Sequence, residues 1–330
     1  MGAQTEMGNA LTLRRVAWTV LLLTVMAAPA WPRERYAVVI SGASGGQKYA
    51  DNYEQWRATL AKALKDKLGF KAENVIVLSE NATSDNDRST REGVKRALSS
   101  VEGRLQPDGL AMIVLIGHGT LDGPDAKFNL VGPDLDAHEW AQLLDKLPGR
   151  LIFVNTSGSS YPFLKELSGP NRVVITATDS GVQRFDTVFP QFFAAAFDEE
   201  SADTDKNGRI SIWEAFAYAS HGVEQWYDER GQLPTEHAVI DDNGERAGKE
   251  AQVPGADGGV ARTVFLDPDP ADATNDAVLA QLQQRKAAIE ADIDALKRRK
   301  DSMPAAEYDA EFEKLAVELA RVTNLIKSRS

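Results

Sequence analysis

Short apolar runs alternate with amphipathic segments through most of the chain that precedes residue 200. The apolar runs are continuous, as in strands that are buried on both faces, and this favours a mainly parallel sheet. The segments between them carry apolar residues at helical spacing. Alternation of strands and helices predicts an α/β fold in which helices flank the sheet. The predicted strands are Tyr36–Ser41, Asn74–Ser79, Leu110–Gly117, Arg150–Asn155 and Arg172–Thr178, and the predicted helices are Asn52–Leu68, Ser89–Val101, Ala137–Leu147, Pro162–Leu167 and Val188–Phe197.

The C-terminal part of the chain has a different pattern. Residues 245–276 are rich in Gly, Pro and Asp, and this composition predicts a linker. Residues 277–330 carry two blocks of apolar residues at a 3-4 spacing on either side of Pro304, which predicts a helical hairpin or short coiled coil. Such a hairpin either packs on the preceding domain or serves as an arm for self-association or a protein partner. The spacing alone leaves both interpretations open.

The N-terminal residues 1–30 have the pattern of a secretory signal peptide. Arg14 and Arg15 precede an apolar run from Val16 to Met26, and small residues then offer a cleavage site near Ala30. We expect a secreted protein, periplasmic in a bacterium, with no stable membrane span after cleavage. The alternative is an uncleaved anchor, although the apolar run is short for a bilayer.

Composition narrows the function classes. The chain has 330 residues and a formal net charge of −12, which disfavours a nucleic-acid partner. Its length suits one α/β domain, which we place at residues 31–244, with an appendage. The sequence contains no cysteine, so disulfides, thiolate metal ligands and cysteine nucleophiles are excluded.

Residues 203–214 read DTDKNGRISIWE, which is the pattern of an EF-hand calcium loop. Such a loop supplies oxygen ligands at fixed positions, and a glycine at its sixth position allows the sharp turn. Gly208 occupies that sixth position. The alternative is a solvated acidic turn, but turn chemistry does not account for an acidic residue at the twelfth position. The predicted Ca²⁺ ligands are Asp203, Asp205, Asn207, Arg209 through its backbone carbonyl, Ser211 and Glu214.

Two predicted strands end in residue types that can perform catalysis. The strand LAMIVLI leads to His118, and the strand LIFVN leads to Ser157, Ser159 and Ser160. Ligands of open parallel sheets bind at the carboxyl ends of strands, so a histidine base and a serine nucleophile could meet there. The alternative is a polar turn whose hydroxyls cap the helix that begins near Pro162.

These motifs resemble the caspase-like domain of caspases, metacaspases and legumain-type peptidases. The resemblance covers about Tyr36 to Gly244. It rests on YAVVISG in the first strand, GHG after the third, LIFVN before a serine-rich turn, and RVVITAT in the next strand. It implies a caspase-like, mainly parallel sheet flanked by helices, with His118 at the position of the catalytic histidine.

The chain departs from this family at two positions. Counting from Phe153, the cysteine of the family falls near Gly158, and the chain has no cysteine. The arginine that legumain-type enzymes place after the first strand has Ala50 as its nearest match. These departures favour an exported, calcium-binding pseudopeptidase that acts as a binding or assembly module.

Two alternatives to a pseudopeptidase stay open. One is a peptidase-like hydrolase that uses His118 with a serine of the 157–160 turn, for which Asp122 and Asp179 are the nearest candidates to orient the histidine. The other is a calcium-responsive regulator, in which the loop at 203–214 moves a neighbouring helix.

Overall fold

A six-stranded sheet forms the centre of the molecule in the computed structural model, which describes residues 34–329 except Pro124, Ala256 and Asn275. The predicted signal peptide lies outside the described residues. The strands of this sheet are β1 (Arg35–Ser41), β2 (Val75–Leu78), β3 (Leu110–Ile116), β7 (Arg150–Asn155), β8 (Arg172–Thr176) and β9 (Val239–Asp241). Their order is β2-β1-β3-β7-β8-β9, and every neighbouring pair is parallel except β8 and β9.

Helices cover both faces of the sheet, as strands with continuous apolar character require. Successive residues of β1 belong to opposite cores: Ala37 and Val39 pack in one, and Val38 and Ile40 in the other. The helices of the first face are α1 (Gln47–Asp66), α5 (Phe189–Ala196) and α6 (Ile212–Asp228), and those of the second are α2 (Arg91–Glu102), α3 (Ala137–Leu144) and α4 (Tyr161–Leu167). The predicted α/β class with a mainly parallel sheet is therefore confirmed.

A second sheet of three short antiparallel strands follows β3 along the chain. Its strands are β4 (Gly119–Asp122), β5 (Asp125–Phe128) and β6 (Leu135–Asp136). The sequence analysis missed these strands because they are short and half of their residues are polar. Phe128 and Leu135 nevertheless pair across β5 and β6, and both are fully buried.

The segment 245–276, which we expected to be a linker, packs against the first face of the sheet. Ala261, Val264 and Leu266 are buried in the same core as α5 and α6. The backbone of Ile212 donates a hydrogen bond to the carbonyl of Val264 at 2.9 Å. Gly, Pro and Asp indicate irregular backbone, and the only helices in the described part of this segment are two short 3-10 helices, Ala261–Thr263 and Pro270–Ala273. A few apolar residues nevertheless suffice to bury it.

The C-terminal helical pair is confirmed as α7 (Ala277–Arg299) and α8 (Ala305–Lys327). The two helices share a small apolar core of their own, with Ile289, Ile293 and Val322 at its centre. An ion pair between Arg285 and Glu318 joins their outer surfaces. In the described part of the chain, no helix is both long and apolar enough to cross a bilayer.

Glu236 is a buried acid that holds the start of α5. Its side chain is 2% exposed and accepts hydrogen bonds from the backbone N–H groups of Val188, at 2.7 Å, and Phe189, at 3.1 Å. These donors are the unpaired groups of a helix N-terminus. Burial nevertheless raises the pKa of Glu236 to about 7, because it disfavours the charged carboxylate.

We expect this acid to make the protein less stable as the pH rises from 4.5 to about 7. In that range the folded state holds a proton that the unfolded chain releases, so the unfolding free energy falls by up to about 1.4 kcal/mol per pH unit. Urea unfolding at several pH values measures the slope. Glu236→Gln should make the slope less steep, and Glu224→Gln, at a more accessible position of α6, should leave it unchanged. Asp205 and Asp257, whose pKa values are also raised, keep the remaining part of the slope in both variants. If the unfolding free energy falls equally steeply with pH in wild type and in Glu236→Gln, Glu236 is not a source of the pH dependence.

Candidate functional site

The acidic loop at 203–214 connects a short 3-10 helix after α5 to the first turn of α6. Its turn is made by Lys206 and Gly208, whose φ angles are 58° and 86°. Left-handed backbone of this kind is easily adopted by glycine, which explains Gly208 at the sixth position. The turn brings Asp203, Asp205 and Glu214 together, with one carboxylate oxygen of each within 4.8 Å of the others.

Backbone N–H groups of the loop converge on all three of these carboxylates, and Asp205 accepts from the N–H of Asn207 at 2.9 Å. Glu214 reaches back to the start of the loop, where it accepts from the N–H of Thr204 at 2.9 Å and of Asp205 at 3.3 Å. Asp203 accepts from Asn207 at 3.1 Å and from Gly208 at 2.9 Å. These hydrogen bonds between the loop's backbone and its own carboxylates therefore hold the loop in the conformation that brings the carboxylate oxygens together.

The carboxylates repel one another at this distance. Desolvation within the loop, and next repulsion from Glu214, raise the pKa of Asp205 to about 6. Asp294 of α7 adds to that repulsion, so the helical hairpin contributes negative charge to the same region. A divalent cation bound by oxygen atoms would relieve it, and carboxylates are the ligands that Ca²⁺ takes in proteins.

The three remaining predicted ligands have other contacts. Asn207 accepts from the N–H of Arg209 at 2.8 Å through its side-chain oxygen. The guanidinium of Arg209 turns away and donates to Asp267 at 2.6 and 3.0 Å. Ser211 caps α6, since its hydroxyl accepts from the N–H of Glu214 at 3.2 Å. The acids thus form the cluster, and these residues shape and anchor it.

His118 lies just beyond β3, and both of its ring nitrogens face oxygen acceptors. Nε2 is 3.0 Å from the carbonyl oxygen of Ser44, and Nδ1 is 3.0 Å from a carboxylate oxygen of Asp186. Each ring nitrogen donates to its acceptor only when it carries a proton. The rings of Tyr49 and Tyr53 meet His118 edge-on, at centroid distances of 4.7 and 5.6 Å.

Asp186 was missed by sequence reasoning, which offered Asp122 and Asp179. It belongs to the loop of residues 179–188 between β8 and α5, which we call the covering segment. Nothing in its local pattern separates it from the other acids of the chain. Tyr49 also donates to Asp186, at 2.5 Å, and this bond raises the pKa of the tyrosine.

The three candidate serines are all buried, each at most 1% exposed. The hydroxyl of Ser157 donates to the side-chain oxygen of Asn155 at 2.7 Å, and that of Ser160 pairs with Thr178 at 3.0 Å. Ser159 has a φ of 54°, and its hydroxyl finds no partner in the described part of the chain. The turn therefore places these hydroxyls inside the protein, where two of them bond to neighbours other than His118.

The covering segment lies directly over the serine turn. The N–H of Ser159 donates to the carbonyl of Gln183 at 2.7 Å. At Gly158, a Cβ atom would lie 2.7 Å from the carbonyl oxygen of Phe185, closer than side chains approach backbone. Gly158, near which the sequence resemblance places the cysteine of the family, therefore has no room for a side chain unless the covering segment shifts.

The contacts with Ser44 and Asp186 hold His118 in place. Among the described residues of the serine turn, however, no accessible hydroxyl lies next to His118 as a nucleophile. A serine nucleophile needs a hydroxyl within hydrogen-bond reach of its base and open to the substrate. Here Asp186 and the carbonyl of Ser44 occupy both nitrogens of His118, and the serines are sealed beneath the covering segment.

No protein-family model matches the sequence, and no curated protein matches it. Among solved structures, the chain is similar to a protein from Geobacter sulfurreducens, at 15% identity and a TM-score of 0.42, over 66% of this chain and 97% of the other. It is also similar to the Drosophila initiator caspase Dronc, at 14% identity and a TM-score of 0.42, over 67% of this chain and 83% of the other. Neither similarity carries information on chemistry.

We expect Gly158→Ala to destabilise the fold, because the added methyl must displace the backbone of the covering segment. Overpacking of a tight site costs about 1–3 kcal/mol of unfolding free energy. Urea unfolding measures this, with Gly103→Ala as the matched control. At Gly103 the nearest atom to an added Cβ is 3.6 Å away, so the control should change stability little. Equal stability of the two variants would mean that the segment does not seal position 158.

Proposed function

We propose that the protein is an exported, calcium-binding pseudopeptidase with a caspase-like sequence pattern, which acts as a binding or assembly module. The observation that carries this proposal is the loop at 203–214, whose three carboxylates gather within 4.8 Å on a preformed turn. Calcium follows from the donor set, because all the side-chain groups are oxygen ligands and no cysteine or histidine takes part. Export is inferred from the pattern of residues 1–30.

The non-catalytic part of the proposal is supported by the surroundings of His118. The serines of the neighbouring turn are buried, and Gly158 stands where the resemblance would place a cysteine. The covering segment adds a physical barrier, since its backbone contacts the turn at Ser159 and closes over Gly158. A substrate carbonyl therefore meets no nucleophile of this turn.

The binding or assembly role is assigned to the hairpin at 277–330. Several apolar side chains of its helices are exposed, including Val278, Phe312, Val317 and Leu325. Exposed apolar side chains in a helix pair are available to a protein partner or to a second copy of the chain. The acidic net charge of −12 makes a nucleic-acid partner unfavourable.

We expect Ca²⁺ to raise the melting temperature of the purified protein and to bind with a dissociation constant of about 10⁻⁵–10⁻³ M. Glu214→Gln should weaken binding at least about tenfold, because it removes the charge of the loop's last ligand. Isothermal titration calorimetry measures both proteins. Asp228→Asn, an exposed change at the end of α6, is the matched control and should bind like wild type.

The result for magnesium separates a calcium loop from a diffuse acidic patch. Magnesium requires a smaller, near-octahedral site, so it should bind more weakly than calcium. Equal binding of calcium by wild type and Glu214→Gln would refute the assignment of this loop as the site.

The second candidate function is a hydrolase, and the contact at 3.0 Å between Nδ1 of His118 and a carboxylate oxygen of Asp186 is the observation that favours it. A carboxylate on Nδ1 is the arrangement that orients a histidine base. Our proposal instead predicts that the wild-type protein hydrolyses a library of peptides and esters no faster than the His118→Ala variant does, with or without calcium. Reproducible turnover that His118→Ala and Ser157→Ala both abolish would establish the hydrolase and overturn the pseudopeptidase.

A further inference from the structure

A cavity of about 570 Å³ lies at the edge of the sheet where the parallel strands begin. It is remote in the fold from His118, which follows the carboxyl end of β3. One wall is formed by the first residues of β1, β3 and β7, and another by the segment 263–272. The volume is in the range of small-molecule sites, which span about 300–1,000 Å³.

Two arginines stand on the strand wall of this cavity. Arg35, Leu110 and Arg150 are register partners across β1, β3 and β7, so all three lie on one face of the sheet. The two arginine backbones are two strand spacings apart, about 10 Å. Each arginine is the first residue of its strand, where the sheet opens to the cavity.

Arg150 has no partner for its charge in the described part of the chain. Its Nε atom is buried and receives no hydrogen-bond acceptor there. The other cations of the cavity are satisfied: Lys71 pairs with Glu34, Arg209 pairs with Asp267, and Arg35 donates to backbone carbonyls. A buried guanidinium donor without an acceptor is costly, so this position favours a ligand that brings a carboxylate.

The wall formed by 263–272 carries Asp267, which pairs with Arg209, and two further acids, Asp269 and Asp272, which are not paired with these cations. Asp269 accepts from the N–H of Ala271, at 2.9 Å, which is a local turn contact. Asp272 lines the same cavity, and no cation of the described residues forms an ion pair with it. Between the charged walls lie apolar side chains, among them Phe70, Leu110, Phe265 and Pro268.

We infer that this cavity binds a zwitterion, a free amino acid or a short peptide. Its carboxylate is held by Arg150, and its ammonium group lies toward Asp269 and Asp272. The apolar side chains between these groups contact the body of the ligand. A ligand with one charge would leave one wall unpaired, and a dianion would meet the acids of the second wall. Glu34, which pairs with Lys71, and Asp108 also line the cavity, so the selection for a molecule with both charges rests on Arg150 together with Asp269 and Asp272.

The experiment uses trialanine as the probe and tests its carboxylate and its ammonium group separately. Isothermal titration calorimetry with the purified protein compares trialanine, its C-terminal amide and its N-acetyl form. We expect trialanine to bind and both blocked forms to bind at least about tenfold more weakly, since each loses a charge-assisted hydrogen bond. Free alanine, tested in parallel, shows whether the site takes an amino acid or requires a peptide.

Two variants test which wall of the cavity contacts the carboxylate of the peptide and which contacts its ammonium group. Arg150→Gln should weaken trialanine binding at least about tenfold and have little further effect on the amide. Asp272→Asn should weaken trialanine binding and have little further effect on the N-acetyl form. Arg172→Gln is the matched control, because Arg172 also begins a strand but pairs with Asp145 and does not line the cavity. It should bind trialanine like wild type.

Melting temperatures of all three variants show that each is folded before binding is compared. The inference is overturned if trialanine does not bind at millimolar concentration. It is also overturned if the three peptides bind equally, or if folded Arg150→Gln binds trialanine like wild type. These outcomes are independent of calcium and of His118, so they leave the proposed function untouched.

Discussion

The central constraint on this molecule is that its parallel sheet is covered on both faces. Parallel strands need crossover connections, and in β1, β3, β7 and β8 those connections place helices on either side. Each strand therefore buries nearly every side chain, and its polar chemistry is confined to its two ends. The loop with His118 belongs to one end, and Arg150 belongs to the other.

The same constraint explains which parts of the fold could be predicted from the sequence. Doubly buried strands such as Arg150–Asn155 stand out as continuous apolar runs, and the structure reproduces that strand with identical ends. The helical pair could also be predicted, because apolar residues at a sustained 3-4 spacing share a face only in a helix. Strands β4 to β6 are short and polar, and the segment 245–276 is buried through isolated side chains such as Leu266, so neither gives a periodic signal.

The candidate sites differ in the same way. The acidic loop is local in sequence, so its residue types, its spacing and the turn at Gly208 could be predicted together. The surroundings of His118 are assembled from distant segments. Ser44 follows β1 and Asp186 follows β8, and only tertiary structure brings them to one ring. Burial of the serines was likewise invisible, because the residues that cover them are polar and irregular in pattern.

The contact of the covering segment with Gly158 also bears on how this chain could change over time. The sequence resemblance places the cysteine of the family near Gly158, and the carbonyl oxygen of Phe185 lies 2.7 Å from where a side chain at Gly158 would begin. A single codon change at this position would therefore strain the backbone of the covering segment. A larger residue at this position therefore requires a prior shift of the segment that carries Asp186, which would also move a carboxylate away from His118. Position 158 and the covering segment are thus coupled, because a side chain at the one is tolerated only together with a change in the other.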